Sequence, residues 1–170
     1  MIIIAVGFDY LIPDVQCVDR QLVATAAEVL LGKKAVGKRV LVVGGGLVGC
    51  ETALYAAEEL NRKATIIESL DEILVGVEPR CTRGPLNERL SNAGVEIHTG
   101  WHLKDVAEKK AVCMDKMEKR HEIEVETVVS AVGLRARKNV VEKFKALAPE
   151  VYVMGDCLEA RKIHNAFEDA

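Results

Sequence analysis

The 170-residue chain contains no Cys-x-x-Cys pair, so it lacks the paired thiols that dithiol redox chemistry needs. Its five cysteines, at positions 17, 50, 81, 113 and 157, are scattered and odd in number. That argues against a disulfide framework and for a reducing, cytoplasmic compartment. No apolar run is long enough to span a bilayer. The apolar start, Met1–Val6, is short and lacks a basic flank, so it reads as a buried strand rather than a signal peptide. No charge excess of one sign is present. The 23 basic and 26 acidic residues give a net charge of −3 with both signs interspersed, which excludes a nucleic-acid or anionic-membrane surface. Internal repeats and low-complexity tracts are also missing. So is any constellation of Tyr, Lys or His suited to direct chemistry on a substrate. What the chain does have is hydrophobic residues, 49% of the total, enough for the core of one domain or slightly more.

The most informative stretch is VLVVGGGLVGCE, Val40 to Glu51. An apolar strand runs into glycines at 44, 46 and 49, and a helix-like pattern follows. This is G-x-G-x-x-G in the strand–turn–helix context of a dinucleotide site. Gly44 permits the tight turn, Gly46 lets a pyrophosphate approach the backbone, and Gly49 lets the helix pack close to the sheet. The helix start, with Gly45, Leu47 and Val48 in the same turn, offers N–H groups to the phosphates. A second strand, Ala64 to Glu68, ends in an acid 19 residues after Gly49, where a ribose-binding carboxylate belongs. That acid would repel a 2′-phosphate, so it points to NAD(H) over NADP(H). Ser69 adds a second hydroxyl. Glu51 reads as a residue of the first helical turn with a local structural role.

Around this unit the pattern is β-α-β-α-β, which calls for a parallel sheet. Ile2 to Val6 is a buried strand, and Val23 to Leu31 a short helix with Thr25 near its start. Leu47 to about Asn61 is the helix after the glycines. Pro79 and Pro85 predict a helix that is kinked or begins near Pro85 and runs to about Asn92. Val95 to His98 is a third strand. Three short strands follow, His102 to Ala107, Lys110 to Asp115 and Arg120 to Val125, joined by charged turns. Thr127 to Val132 returns to the parallel sheet. Asn139 to Leu147 is a short helix, Val151 to Met154 a last strand, and Lys162 to Ala170 has a helical pattern. The fold class is therefore α/β: a three-layer Rossmann-like domain with a parallel sheet and an antiparallel three-stranded insertion.

With these pieces in place, the chain resembles the pyridine-nucleotide–disulfide oxidoreductase superfamily. The resemblance rests on IIAVG (Ile3 to Gly7), VVGGGLVGCETA (Val42 to Ala53), SAVG (Ser130 to Gly133) and VYVMGDC (Val151 to Cys157). The tail, Glu159 to Ala166, is similar to that of reductases related to 2,4-dienoyl-CoA reductase, trimethylamine dehydrogenase and NADH:flavin oxidoreductase. The missing Cys-x-x-Cys sets the chain apart from the thioredoxin- and glutathione-reductase subtypes. Residues Leu134 to Asn139 also depart from the family, because a proline usual there is absent.

The resemblance implies an NAD(H)-binding domain inserted into an FAD domain. It divides the chain into an FAD-domain remnant strand and linker (1–32), the NAD(H)-binding domain (33–136), and a linker with a C-terminal FAD-domain remnant (137–170). It adds Gly133, Gly155 and Asp156 to the cofactor-binding set, the last two on the FAD ribityl side. Asp156 can equally cap a following helix, and Arg161 is a further flavin-side residue or a surface charge. The partners implied are a dinucleotide and the remaining FAD-domain and barrel portions of a larger enzyme. The expected function is binding and orienting NADH for hydride transfer to a flavin. No catalytic or metal-binding residue is assigned, and the chain alone is expected to retain no FAD and show no turnover. Two other readings stay open: a non-catalytic nucleotide-binding module, and a small Rossmann oxidoreductase acting directly on its substrate. The cysteines read as small buried hydrophobes. His98 and His102, four apart across Gly100, read as no metal site.

Overall fold

The computed structural model describes residues 1–13, 15–17, 20–107 and 109–160. The expected helix over 162–170, with Arg161 and His164, lies outside them. In chain order the strands are β1 (Ile2–Ile4), β2 (Phe8–Tyr10), β3 (Gln16–Cys17), β4 (Val23–Thr25), β5 (Arg39–Val43), β6 (Lys63–Glu68), β7 (Glu96–Thr99), β8 (His102–Ala107), β9 (Lys110–Met114), β10 (Arg120–Glu124), β11 (Thr127–Ser130), β12 (Leu134–Ala136) and β13 (Val151–Val153). The α-helices are α1 (Ala26–Leu30), α2 (Leu47–Glu58), α3 (Gly84–Asn92) and α4 (Lys138–Glu142). No helix among the described residues is long and apolar enough to cross a membrane. Two compact units result: residues 12–132, and residues 1–11 with 133–170. The segment 1–32, read from sequence as one remnant, is thus divided between them at Leu11.

The larger unit has three layers. Its centre is a five-stranded parallel sheet in the order β4-β11-β5-β6-β7. The strand β5 is buried on both faces, which is why its sequence is continuously apolar. Val40 and Val42 face the helix layer with Ala53, Ala56, Leu86 and Leu90. Leu41 and Val43 face the opposite side with Leu103, Val106, Ala111 and Cys113. Truncating a side chain such as Leu41, which has no exposed surface, costs about 2–5 kcal/mol.

The opposite side is covered by the antiparallel insertion, β8, β9 and β10, extended by β3 running parallel to β8. The register of β8 shifts between Leu103 and Asp105. This bulge turns both Leu103 and Val106 inward, although strict alternation would separate them.

Two local readings change. The span expected as one helix from Val23 begins as a strand: β-branched Val23 and Thr25 pair with Val128 and Ser130 at the sheet edge. The helix starts only at Ala26. Thr25 caps it, accepting from the Glu28 N–H at 3.2 Å, while Glu28 Oε2 accepts from the Thr25 N–H at 2.8 Å. The segment at Pro79–Arg83 is a separate wide turn, closed by the Arg83 N–H on the Glu78 carbonyl. The α3 helix begins at Gly84 with Pro85 in its first turn, where a missing N–H costs nothing.

The smaller unit pairs β1 with β13 in parallel and β2 with β12 antiparallel. The β2–β12 pairing has no counterpart in the sequence reading. Ile4, Val141 and Cys157 form its core. Arg137 ties it together, its Nε donating to Asp9 at 2.8 Å and its Nη1 to the Val6 carbonyl at 3.0 Å.

Candidate functional site

The chain leaves β5 for β6 on one side while β11 lies on the other. The carboxyl end of β5 is therefore the switch point where an open α/β sheet leaves a crevice. The glycine turn fills this place, and its glycines differ in what holds them there. Gly44 has φ +108°, and a Cβ on it would lie 2.5 Å from the Ala131 carbonyl oxygen. At Gly49 a Cβ would meet the Gly44 carbonyl oxygen at 1.9 Å. These two positions allow the turn and bring α2 hard against it. The buried Gly45 has Ile73 Cγ2 2.5 Å from its Cβ position. Gly46 is exposed and has no atom within 4 Å of its Cβ position, so the space over it is open.

Gly46 is also the N-cap of α2, and no side chain caps that helix. The first-turn N–H groups of Leu47, Val48 and Gly49 have no partner within the helix. They carry the positive end of a twelve-residue dipole. Glu51 is exposed and lies past this first turn, which contains no acid. It therefore does not serve the role of first-turn acid read from the sequence.

The carboxylate of Glu68, half-buried at the end of β6, reaches the turn. Its Oε2 accepts from the Gly45 N–H at 2.6 Å. Its Oε1 accepts from the Leu70 N–H at 2.9 Å and from the Ser69 hydroxyl at 3.1 Å. The Gly45 carbonyl in turn accepts from the Leu74 N–H at 2.8 Å. Glu68 thus joins the glycine turn to the loop after β6, and Gly44 to Gly49, Glu68 and Ser69 come together at one end of one sheet.

The neighbouring Cys50 is no nucleophile. Burial, and then the charges of Glu68 and Glu51, push its thiol up to about 12. Burial pushes Cys113 up to about 11. Cys157 is buried with its Sγ 3.4 Å from the Ile4 carbonyl and 3.2 Å from that of Met154, whereas Cys81 is exposed.

Gly133, Gly155 and Asp156 belong to the smaller unit. Gly133, at φ +110°, accepts from the Leu11 N–H at 3.1 Å. Gly155, at φ +66°, opens a short 3-10 turn. Asp156 lies inside that turn, not at its cap.

The sequence reading missed one cluster. Trp101 is stacked between His98, with centroids 4.3 Å apart and planes at 15°, and His121, at 4.0 Å and 22°. His121 Nε2 is 2.9 Å from Asp115 Oδ2. The signal was present in the alternation of β10, where His121 shares a side with Ile123 and Val125. Among the described residues, no group of three or more metal-ligating side chains is placed to hold a metal.

The sheet, the helix layer, the antiparallel cover and the glycine turn define a Rossmann-like flavoprotein-type nucleotide domain. All 170 residues match the family described as pyridine nucleotide-disulphide oxidoreductase, and the chain belongs to it. An NADH oxidase of Thermoanaerobacter brockii is 32% identical over 170 residues, covering 97% of this chain and 26% of that protein. A cinnamate reductase of Clostridium sporogenes is 28% identical, covering 84% of this chain and 21% of that protein. The solved structure of a 2-naphthoyl-CoA reductase superposes with a TM-score of 0.87 at 26% identity, covering 98% of this chain and 25% of that one. The chain thus spans about a quarter of each. The relatives make this an NAD(P)/flavin oxidoreductase domain.

Proposed function

We propose that residues 12–132 bind NADH and orient it for hydride transfer to a flavin held by the remainder of a larger enzyme. The observation that carries the reading is the open space over Gly46 beside an uncapped helix start and the Glu68 carboxylate. A pyrophosphate fits this place, because its oxygens would accept from first-turn amides that have no other partner. The adenosine ribose hydroxyls would donate to Glu68, and Ser69 stands beside it. When bound, the nicotinamide supplies a hydride and the flavin accepts it. The chain supplies binding and orientation, and Cys50, being neutral, stays out of the chemistry.

The smaller unit supports the flavin half of the proposal. Ile3 and Tyr152 are paired across β1 and β13, yet they are 58% and 57% exposed. Parallel strands are ordinarily buried on both faces, so this pair suits a place within a larger sheet. Gly155 and Asp156 follow β13 after Met154 and would approach the ribityl chain, with Gly133 a further backbone contact. The residues do not supply FAD with a phosphate cradle, because among the described residues the smaller unit has no glycine-rich strand-to-helix turn.

The reading is tested by titrating the chain with NADH and NADPH. NADH is expected to bind about tenfold or more tightly, since a 2′-phosphate would meet the Glu68 carboxylate. Glu68→Ala should weaken NADH and narrow the gap. Equal binding of the two nucleotides, or unchanged selectivity in the variant, would overturn it.

A further inference from the structure

The loop that carries Glu68 is held from behind. The main-chain carbonyl of Glu68 accepts from the Trp101 N–H at 2.9 Å, and that of Leu70 from the Gly100 N–H at 2.8 Å. Leu70 is itself the residue whose N–H holds Glu68 Oε1. The placement of residues 100 and 101 therefore fixes the segment that aims the carboxylate. Both are fixed in turn by the turn between β9 and β10. Lys116 lies over Gly100, with its Cε 2.7 Å from the Cβ position there, and pairs with Asp71. Asp115 Oδ1 accepts from the N–H groups of Met117 and Lys119, at 2.8 and 3.0 Å. Its other oxygen meets His121, which stacks on Trp101. One turn thus reaches the Glu68 loop by two routes: Lys116 to Asp71, and Asp115 through His121 and Trp101 to the Glu68 carbonyl.

We infer that the 115–119 turn, with Trp101 and its two histidines, is a positioning device for Glu68 that ties nucleotide affinity to pH. The inference rests on the reading of Glu68 as the ribose acceptor. Imidazoles exchange a proton in the range where enzymes work. A proton on His121 creates an ion pair with Asp115 and a cation against the indole face. Asp115 remains ionised throughout, since His121 and then the Lys119 amide hold its carboxyl below the usual range. The other charged groups share the cleft of about 450 Å³ beside the stack. They are ion-paired: Lys63 with Glu96, Arg39 with Glu124 and Glu126, and Glu122 with Lys110 and Arg120. Falling pH therefore tightens the stack, steadies the loop and strengthens NADH binding.

The test is calorimetric titration of the full chain with NADH at pH 6 and pH 8. It uses wild type, His121→Gln, Lys116→Ala, Glu68→Ala and the double variant Glu68→Ala/His121→Gln. Wild type should bind about threefold more tightly at pH 6. His121→Gln should lose that pH dependence, and Lys116→Ala should weaken binding at both pH values. In the Glu68→Ala background His121→Gln should have no further effect, which a merely structural role for His121 would not produce. Circular dichroism identifies any variant that fails to fold. If His121→Gln does, the pH profile of His121→Asn decides. Wild-type binding that depends on Glu68, but not on pH, His121 or Lys116, overturns the device alone. Failure of wild type to bind NADH, or Glu68→Ala binding like wild type, overturns the reading of Glu68 and the device with it.

Discussion

Two glycines of one motif, three residues apart, serve different ends, and substitution separates them. Gly46 has φ −69° and open space where a side chain would go. Gly46→Val is therefore expected to fold with a melting temperature close to wild type. It should lose NADH binding, because the branched side chain would occupy the place proposed for the pyrophosphate. Calorimetry paired with a thermal melt reads both quantities, and normal NADH binding by this variant would locate the phosphates elsewhere. At Gly49 a single methyl would strike a backbone oxygen 1.9 Å away, which no rotamer change relieves. Gly49→Ala should lose stability, at or beyond the upper end of about 1–3 kcal/mol for overpacking. Urea unfolding measures that loss, and an unchanged midpoint would show that the turn can give way.

Among the elements, α1 depends most on a local device. It has only five residues, too few to hold together on propensity alone. The reciprocal Thr25–Glu28 cap supplies what length does not, and Thr25→Ala should cost about 1 kcal/mol. The Glu28 carboxyl is held below its ordinary 4.5, first by the Thr25 N–H, then by the Thr25 hydroxyl. A carboxyl depressed by folding stabilises the native state above its unfolded value. That contribution disappears as pH falls through the native value. Thermal melts from pH 7 down to pH 3 should therefore show wild type converging on Glu28→Gln at the acid end. A constant gap across that range would remove the carboxylate from the account. The helix was placed too early in the sequence reading because Val23 and Thr25 fit a helical pattern. Only their pairing with β11 makes them a strand.

For the whole molecule, the unequal endowment of its two units predicts what the purified chain will do. The larger unit has an open glycine turn with a carboxylate beside it. The described part of the smaller unit offers Gly155 and Asp156 but no comparable turn. The chain alone should therefore be colourless and should not oxidise NADH, with or without added FAD. A visible spectrum and a 340 nm assay check this. Stoichiometric bound FAD would mean that the turn serves the flavin. NADH oxidation without flavin would favour a direct Rossmann oxidoreductase.

What could be read without coordinates was local or periodic. Residues Val40 to Glu51 announce a strand, a turn and a helix because the glycines, the apolar run and the small helix face are consecutive. The alternation in β9 and β10 announces the insertion for the same reason. Glu68 stands out as a candidate by its distance along the chain, which tracks the length of one β-α-β unit. The tertiary structure alone decided the rest, since it depends on residues far apart in sequence. It paired β4 with β11 and β2 with β12, and it placed a bulge that turns Leu103 and Val106 to one side. It joined Glu68 to the amide of Gly45. It also brought His98, Trp101 and His121 into one stack behind the Glu68 loop, from segments whose order in the chain does not reveal that they meet.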